Sequence, residues 1–173
     1  MKSAFALGAI LVTSLVAIAA PDESAARKEI EGAYNRMAAG FLKKDPRPLI
    51  EVLHPGFTNE EPGGKPQSRK QFIESMKGYT AMTKSVDRSE IIIKKFTVKG
   101  SKAVADVQSI MKMTADNSSG MFGKVGKTAV LEMDMMDRET WVVSKNRWLL
   151  KKSVSLPGGK FLVNGKPATM PGG

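Results

Sequence analysis

The stretch from Thr128 to Ser155, TAVLEMDMMDRETWVVSKNRWLLKKSVS, constrains the fold more than any other part of the chain. Apolar and polar residues alternate along two long runs that break at Lys145-Asn146, the pattern of two antiparallel strands with one buried face. A two-residue turn there opposes Val143 to Trp148, Trp141 to Leu150, Glu139 to Lys152 and Asp137 to Val154. Leu131, Met133 and Met135 share the face of these residues, which must be the buried one. Glu132, Asp134, Arg138 and Thr140 take the other face. A one-residue bulge would swap the faces beyond it.

The start of the chain reads as a targeting segment. Lys2 supplies a positive charge, Ala4 to Ile18 form an apolar run, and Ala17-Ile18-Ala19 has the A-x-A form of a cleavage site. The run is shorter than the roughly 20 residues a spanning helix needs. The expectation is therefore export, to the periplasm or beyond the cell, with cleavage after Ala19 rather than before Pro21. A lipid anchor on cysteine is excluded because the chain has no cysteine. That absence also removes disulfides, thiol nucleophiles and thiolate metal sites.

Cleavage leaves 154 residues with 26 Lys and Arg against 17 Asp and Glu, enough chain for one sizeable core. A net charge of +9 suits contact with anionic surfaces. The basic residues come in scattered pairs, Lys43-Lys44, Lys94-Lys95 and Lys151-Lys152, with acids between them. They form no stripe with stacking aromatics, so nucleic acid is not the expected partner.

Ahead of the hairpin the period is helical. Ala26, Ile30, Ala33, Tyr34, Met37 and Phe41 make one stripe on a helix from Ser24 to Lys43. Asp45-Pro46 restarts a short helix carrying Leu49, Ile50 and Leu53, and His54-Pro55 ends it. His54, the one histidine, is expected to cap free carbonyls there. Phe57 to Glu60 is a short strand. Ser68 and Gln71 form a capping box for a third helix with Phe72, Ile73, Met76 and Tyr79 inward.

After Lys84 the period changes to two. Ile91 to Val98 and Ala103 to Met113 pair across Gly100-Ser101, with a bulge expected at Lys94-Lys95, where the phase slips. Residues 114–127 read as a mobile glycine-rich loop. Residues 157–173 read as a C-terminal extension low in core formers, with a small turn at Asn164-Gly165. Three helices followed by a strongly curved antiparallel sheet is an α+β order.

The residues Tyr34 to Phe41, the run LKKDPRPLIEVLHPGFTNEEPGGKPQSRKQF, the paired strands after it and ETWVVSKNRWLLKKS resemble the nuclear transport factor 2-like superfamily. The likeness is to its SnoaL-like and domain-of-unknown-function 4440 branches. The marks are Asp45 after the first helix, Leu53 to Phe57 leading into a strand, Lys65 to Phe72 opening the third helix, and the Trp141/Trp148 hairpin. Lys44-Asp45 departs from the more usual Gly-Asp. The resemblance implies an α+β cone over residues 20–156, a cystatin-like roll in which the sheet wraps the first helix. It also implies a pocket at the wide end and a homodimer formed through the outer sheet face.

In the superfamily's ketosteroid isomerases a catalytic carboxylate precedes a proline near this point, so the resemblance makes Glu61 of Asn59-Glu60-Glu61-Pro62 the candidate proton acceptor. The same residues before Pro-Gly-Gly also describe an exposed acidic turn, the commoner origin of such a run. The isomerase tyrosine falls near Met37, with Tyr34 one turn away. Expected ligand contacts are Tyr34, Met37, Met111, Met113, Met133, Met135, Asp137, Glu139 and Trp141, because thioethers suit adaptable apolar pockets. Neither a metal nor a cofactor is expected, since one histidine and dispersed carboxylates make no ligand set. The expected function is a non-catalytic binding module for a small apolar or amphipathic ligand or a partner protein. A cofactor-independent isomerase or dehydratase using Glu61 is the alternative.

Overall fold

The computed structural model describes residues 22–61 and 64–169, so the expected signal peptide at 1–19 and Pro62 lie outside the described residues. Helices α1 (Glu23–Leu42) and α2 (Arg47–Val52) precede β1 (Leu53–Glu60) and β2 (Gln67–Ser68). Next come α3 (Arg69–Met82), β3 (Thr83–Lys99), β4 (Lys102–Asp116), β5 (Thr128–Ser144) and β6 (Arg147–Ser155), then β7 (Lys160–Val163) and β8 (Lys166–Pro167). The sheet order is β2-β1-β6-β5-β4-β3, and β7 pairs with both β5 and β8. All pairings are antiparallel except β1 with β6. The result is an α+β fold with a large, curved, unclosed sheet.

The helical stripe behaves as its spacing predicts. Ala26, Ile30, Ala33, Tyr34 and Met37 are all buried, and Phe41 packs partly buried beside them. They meet Ala103, Ala105 and Val107 of β4 and Trp141, Trp148 and Leu150 of the hairpin. Trp141, Tyr34, Phe57 and Ile30 are among the largest fully sealed side chains, each contributing roughly 1.5–3 kcal/mol by leaving water. The capping box of α3 is present, with the Ser68 side chain accepting from the Gln71 backbone and Gln71 returning to Ser68. Phe72 of α3 meets Phe57 of β1 at 5.1 Å between ring centres.

Among the register shifts of the sheet, two fall at doubled lysines and keep the apolar residues inward. In β3 the register shifts between Ile93 and Lys95, where two consecutive lysines break the alternation. In the hairpin Val143 opposes Trp148 and Trp141 opposes Leu150, as expected. Lys151 is then extra, so Thr140 opposes Lys152 and Glu139 opposes Ser153.

Four local expectations need correction. His54 caps no helix: it lies in β1, where its Nδ1 accepts from Gly56 N at 3.0 Å and sits 3.3 Å from Lys151 Nζ. Burial first, and then the lysine charge, pull its pKa below the usual value. The strand after α3 begins at Thr83, well before Ile91. The loop after β4 is built on buried Asn117, whose side chain bonds Gly123 O, Gly126 O and Phe122 N, and Phe122 packs into the core. Residues 160–167 continue the sheet: Val163 opposes Leu131 and is buried, and the turn falls at Asn164-Gly165 as expected.

Gly40 sets the crossing of α1 and α2. A Cβ there would stand 2.7 Å from Asp45 O and 3.0 Å from Pro48 Cγ. Gly40→Ala is expected to destabilise the fold by about 1–3 kcal/mol in chemical denaturation. Gly78→Ala in α3, where a Cβ meets nothing within 4 Å, should instead be neutral or stabilise by up to about 1 kcal/mol.

Candidate functional site

The alternation of β5 sends Met133, Met135, Asp137, Glu139 and Trp141 to the inner face, and the stripe of α1 brings Tyr34 against its upper part. Tyr34 donates its hydroxyl to Glu139 Oε2 at 2.6 Å. Trp141 Nε1 donates to the Tyr34 oxygen at 2.9 Å and to the same Oε2 at 3.1 Å. The two aromatic rings meet edge to face, 5.4 Å apart and 88° between planes. Both donors thus converge on one carboxylate oxygen. Oε1 has no hydrogen-bond partner among the described residues.

Burial pushes Glu139 up to about 7; the Tyr34 bond opposes the rise, the Asp137 charge adds to it, and the Trp141 bond opposes it. Burial also carries the Tyr34 phenol far above its ordinary range, with the Glu139 charge adding, so Tyr34 remains a donor. Asp137, one inner-face position away, accepts from Ser155 Oγ at 2.8 Å. Its pKa is raised, first by burial; the Ser155 bond opposes this and the Glu61 charge reinforces it. Burial followed by the Glu61 charge likewise raises Tyr79.

The expected Glu139–Lys152 pair does not form. Because Lys151 bulges, Lys152 turns outward and binds Glu60 at 2.8 Å, while Ser153 and Ser155 turn inward. Ser155, the partner of Asp137, went unrecognised in the sequence for this reason. The signal was present, since Lys151-Lys152 is the same doubled lysine that marks the bulge at Lys94-Lys95.

The nine expected contact residues divide by burial. Tyr34, Met37, Met113, Glu139 and Trp141 are buried within packed clusters, whereas Met111, Met133, Met135 and Asp137 are half-buried. Of these four, Met111 and Met133 pack against the edge of one of two separate cores, and Met135 and Asp137 lie along β5 between them. One core is built on α1 with Trp141 and Trp148; the other holds Met113, Ala115, Phe122, Ala129, Leu131 and Val163. The turn after β6 touches this saddle, for a Cβ on Gly159 would stand 2.9 Å from Met135 Sδ. Glu61 is half-buried just after β1; its carbonyl accepts from Gly64 N at 3.0 Å, and its side chain makes no hydrogen bond among the described residues. Among those residues no three His, Asp or Glu side chains converge as a metal site requires.

The Glu139 environment predicts a pH dependence. Its folded pKa lies above the ordinary carboxylate value of 4.5. Its contribution to stability is therefore complete below pH 4.5 and is lost as pH rises through about 7. Glu139→Gln, which cannot ionise, should gain on the wild type by up to about 3 kcal/mol across that window. Urea midpoints measured from acid to neutral pH test this, and parallel profiles for the two proteins would contradict the assignment.

No protein-family model and no curated protein matches the sequence. Solved structures do. A conserved protein from Planctomyces limnophilus aligns with a TM-score of 0.63 at 14% identity, covering 79% of this chain and 96% of that one. A nuclear transport factor 2-like superfamily protein from Salmonella enterica aligns with a TM-score of 0.59 at 16% identity, covering 78% and 92%. A domain of unknown function with a cystatin-like fold from Nostoc punctiforme aligns with a TM-score of 0.58 at 10% identity, covering 79% and 80%. The chain has the nuclear transport factor 2-like fold.

Proposed function

We propose that this protein is a binding module that holds a small apolar or amphipathic molecule on the concave face of its sheet. The observation that carries this reading is the break in the core. Met135 and Asp137 stay half-buried on the inner face between two packed clusters, with half-buried Met111 and Met133 at the edge of the second. Thioethers adapt to irregular apolar shapes, and carboxyl groups at one end select a ligand whose polar end donates hydrogen bonds. Among inner-face positions of β4, β5 and β6 none is Lys or Arg, so an anionic head would find no partner there. The same reading has the chain exported after cleavage near Ala19. It also has two copies paired through the outer sheet face, where Ile92 is exposed.

Thermal-shift and native mass spectrometric screening with long-chain alcohols and amines tests the proposal. A mass adduct with a raised melting temperature is expected in the wild type, and both should be lost in Met133→Asp. Absence of any adduct across the set counts against it.

A second reading is favoured by one observation, the Glu139 carboxyl, which burial pushes up to about 7 and whose Oε1 has no hydrogen-bond partner among the described residues. Such a group can take a proton from a bound substrate at neutral pH, as an isomerase or dehydratase requires. Glu61 at the mouth is the other candidate for that role. Exchange of the α-protons of an enolisable cyclic ketone, followed by NMR, distinguishes the two. Loss in Glu139→Gln with retention in Glu61→Gln assigns the proton to Glu139, and the converse assigns it to Glu61. No exchange above the rate in buffer removes the second reading.

A further inference from the structure

The loop joining β4 to β5, residues 117–127, has two sides of opposite character. Its inner side is pinned. Asn117 is buried, its amide nitrogen donates to Gly123 O and Gly126 O at 2.9 Å each, and its oxygen accepts from Phe122 N at 2.8 Å. The Asn117 backbone N–H closes the base of the loop on Lys127 O at 2.8 Å, and Phe122 is buried in the second core cluster. Gly120, Gly123 and Gly126 all have positive φ, a backbone shape that side chains resist.

Its outer side is apolar and basic. Met121 is 49% exposed and Val125 37%, two of the five exposed large hydrophobics among the described residues. The other three, Leu42, Ile92 and Val143, stand on separate elements. Turn bonds from Gly123 N to Gly120 O and from Val125 N to Gly123 O, both 2.9 Å, hold the two apolar tips close in the chain. Lys124 and Lys127 are exposed beside them, in no ion pair among the described residues. The loop contains no acid, and Asp116 at its base is already matched by Lys84 at 3.6 Å.

We infer that this loop docks on an anionic lipid bilayer, with Met121 and Val125 entering the boundary between headgroups and acyl chains and Lys124 and Lys127 meeting lipid phosphates. Two side chains are far less than the roughly 800 Å² per partner that a stable protein complex covers. They are enough for an interfacial anchor when basic residues add their attraction to an anionic surface. Because the loop is ordered by Asn117 and Phe122 before any contact, little conformational entropy remains to be lost on docking. The excess of Lys and Arg over Asp and Glu in the whole chain, 27 against 17, favours approach to the same surface.

The chain from Ala20 onward keeps every described element and omits the apolar Ala4–Ile18 run, which could bind lipid by itself. Its co-sedimentation with vesicles of phosphatidylcholine, alone or mixed with phosphatidylglycerol, tests the inference. Binding is expected only to the mixed vesicles and should weaken with added salt. The double substitution Met121→Asp/Val125→Asp should lower it about tenfold or more, and Lys124→Glu/Lys127→Glu should do likewise. Leu42→Asp, exposed at the end of α1 and elsewhere on the surface, should leave it unchanged.

In Met121→Trp the added tryptophan should shift to the blue with mixed vesicles, whereas the wild-type emission from buried Trp141 and Trp148 stays constant. Equal binding by the wild type and the Met121→Asp/Val125→Asp variant would mean adsorption by net charge alone and would overturn the inference. So would binding to phosphatidylcholine alone at the same level, no vesicle binding, or an unshifted Met121→Trp emission.

Discussion

Burying Glu139 is tolerable only because Tyr34 and Trp141 both donate to one of its oxygens, and much of the structure is arranged around that requirement. A carboxylate without partners in an apolar core is costly enough to prevent folding or to force protonation. Here the donors come from the first helix and from the same strand, one of them 105 residues away in sequence. The bond from Tyr34 therefore fixes the rotation of α1 on the sheet as well as satisfying the acid. Removing either aromatic would leave the buried oxygen with one donor instead of two, a larger penalty than its lost apolar area implies.

The bulge at Lys151 is the second arrangement that the inner face depends on. Without it, period two would carry Lys152 inward, opposite Glu139, and turn Ser153 and Ser155 outward. With it, Lys152 finds Glu60 on the outside and Ser155 reaches Asp137 inside. The acid pair on β5 thereby faces serines instead of a lysine, and burial holds its protons more tightly than usual. A single inserted residue decides whether this region is an ion pair or a hydrogen-bonded acidic patch.

The saddle and the loop share one origin, the length of β4 and β5. These strands run far beyond the end of α1, so the helix covers only the part near Trp141. The far end needs cover of its own and receives it from Phe122 in the connecting loop and Val163 in the returning tail. Between the two covers the methionines remain half-open. The glycines that let the loop fold back over the core also leave Met121 and Val125 on its outer side.

Local sequence determined what local physics controls. The 3.6-residue stripe of α1, the Ser68–Gln71 capping box, the alternation of β5, the turns at Lys145-Asn146 and Asn164-Gly165 and the doubled lysine of β3 each depend on residues within a few positions. Their steric and hydrogen-bonding preferences act before any tertiary contact, so they were legible, and with them the α+β order and the resemblance. Only tertiary structure decided the rest. That Lys151 bulges, that His54 joins a strand, that Val163 seals the far core and that Glu139 meets Tyr34 all depend on pairings between distant segments. Such pairings are settled by the packing of the whole sheet, where a shift of one residue exchanges its faces.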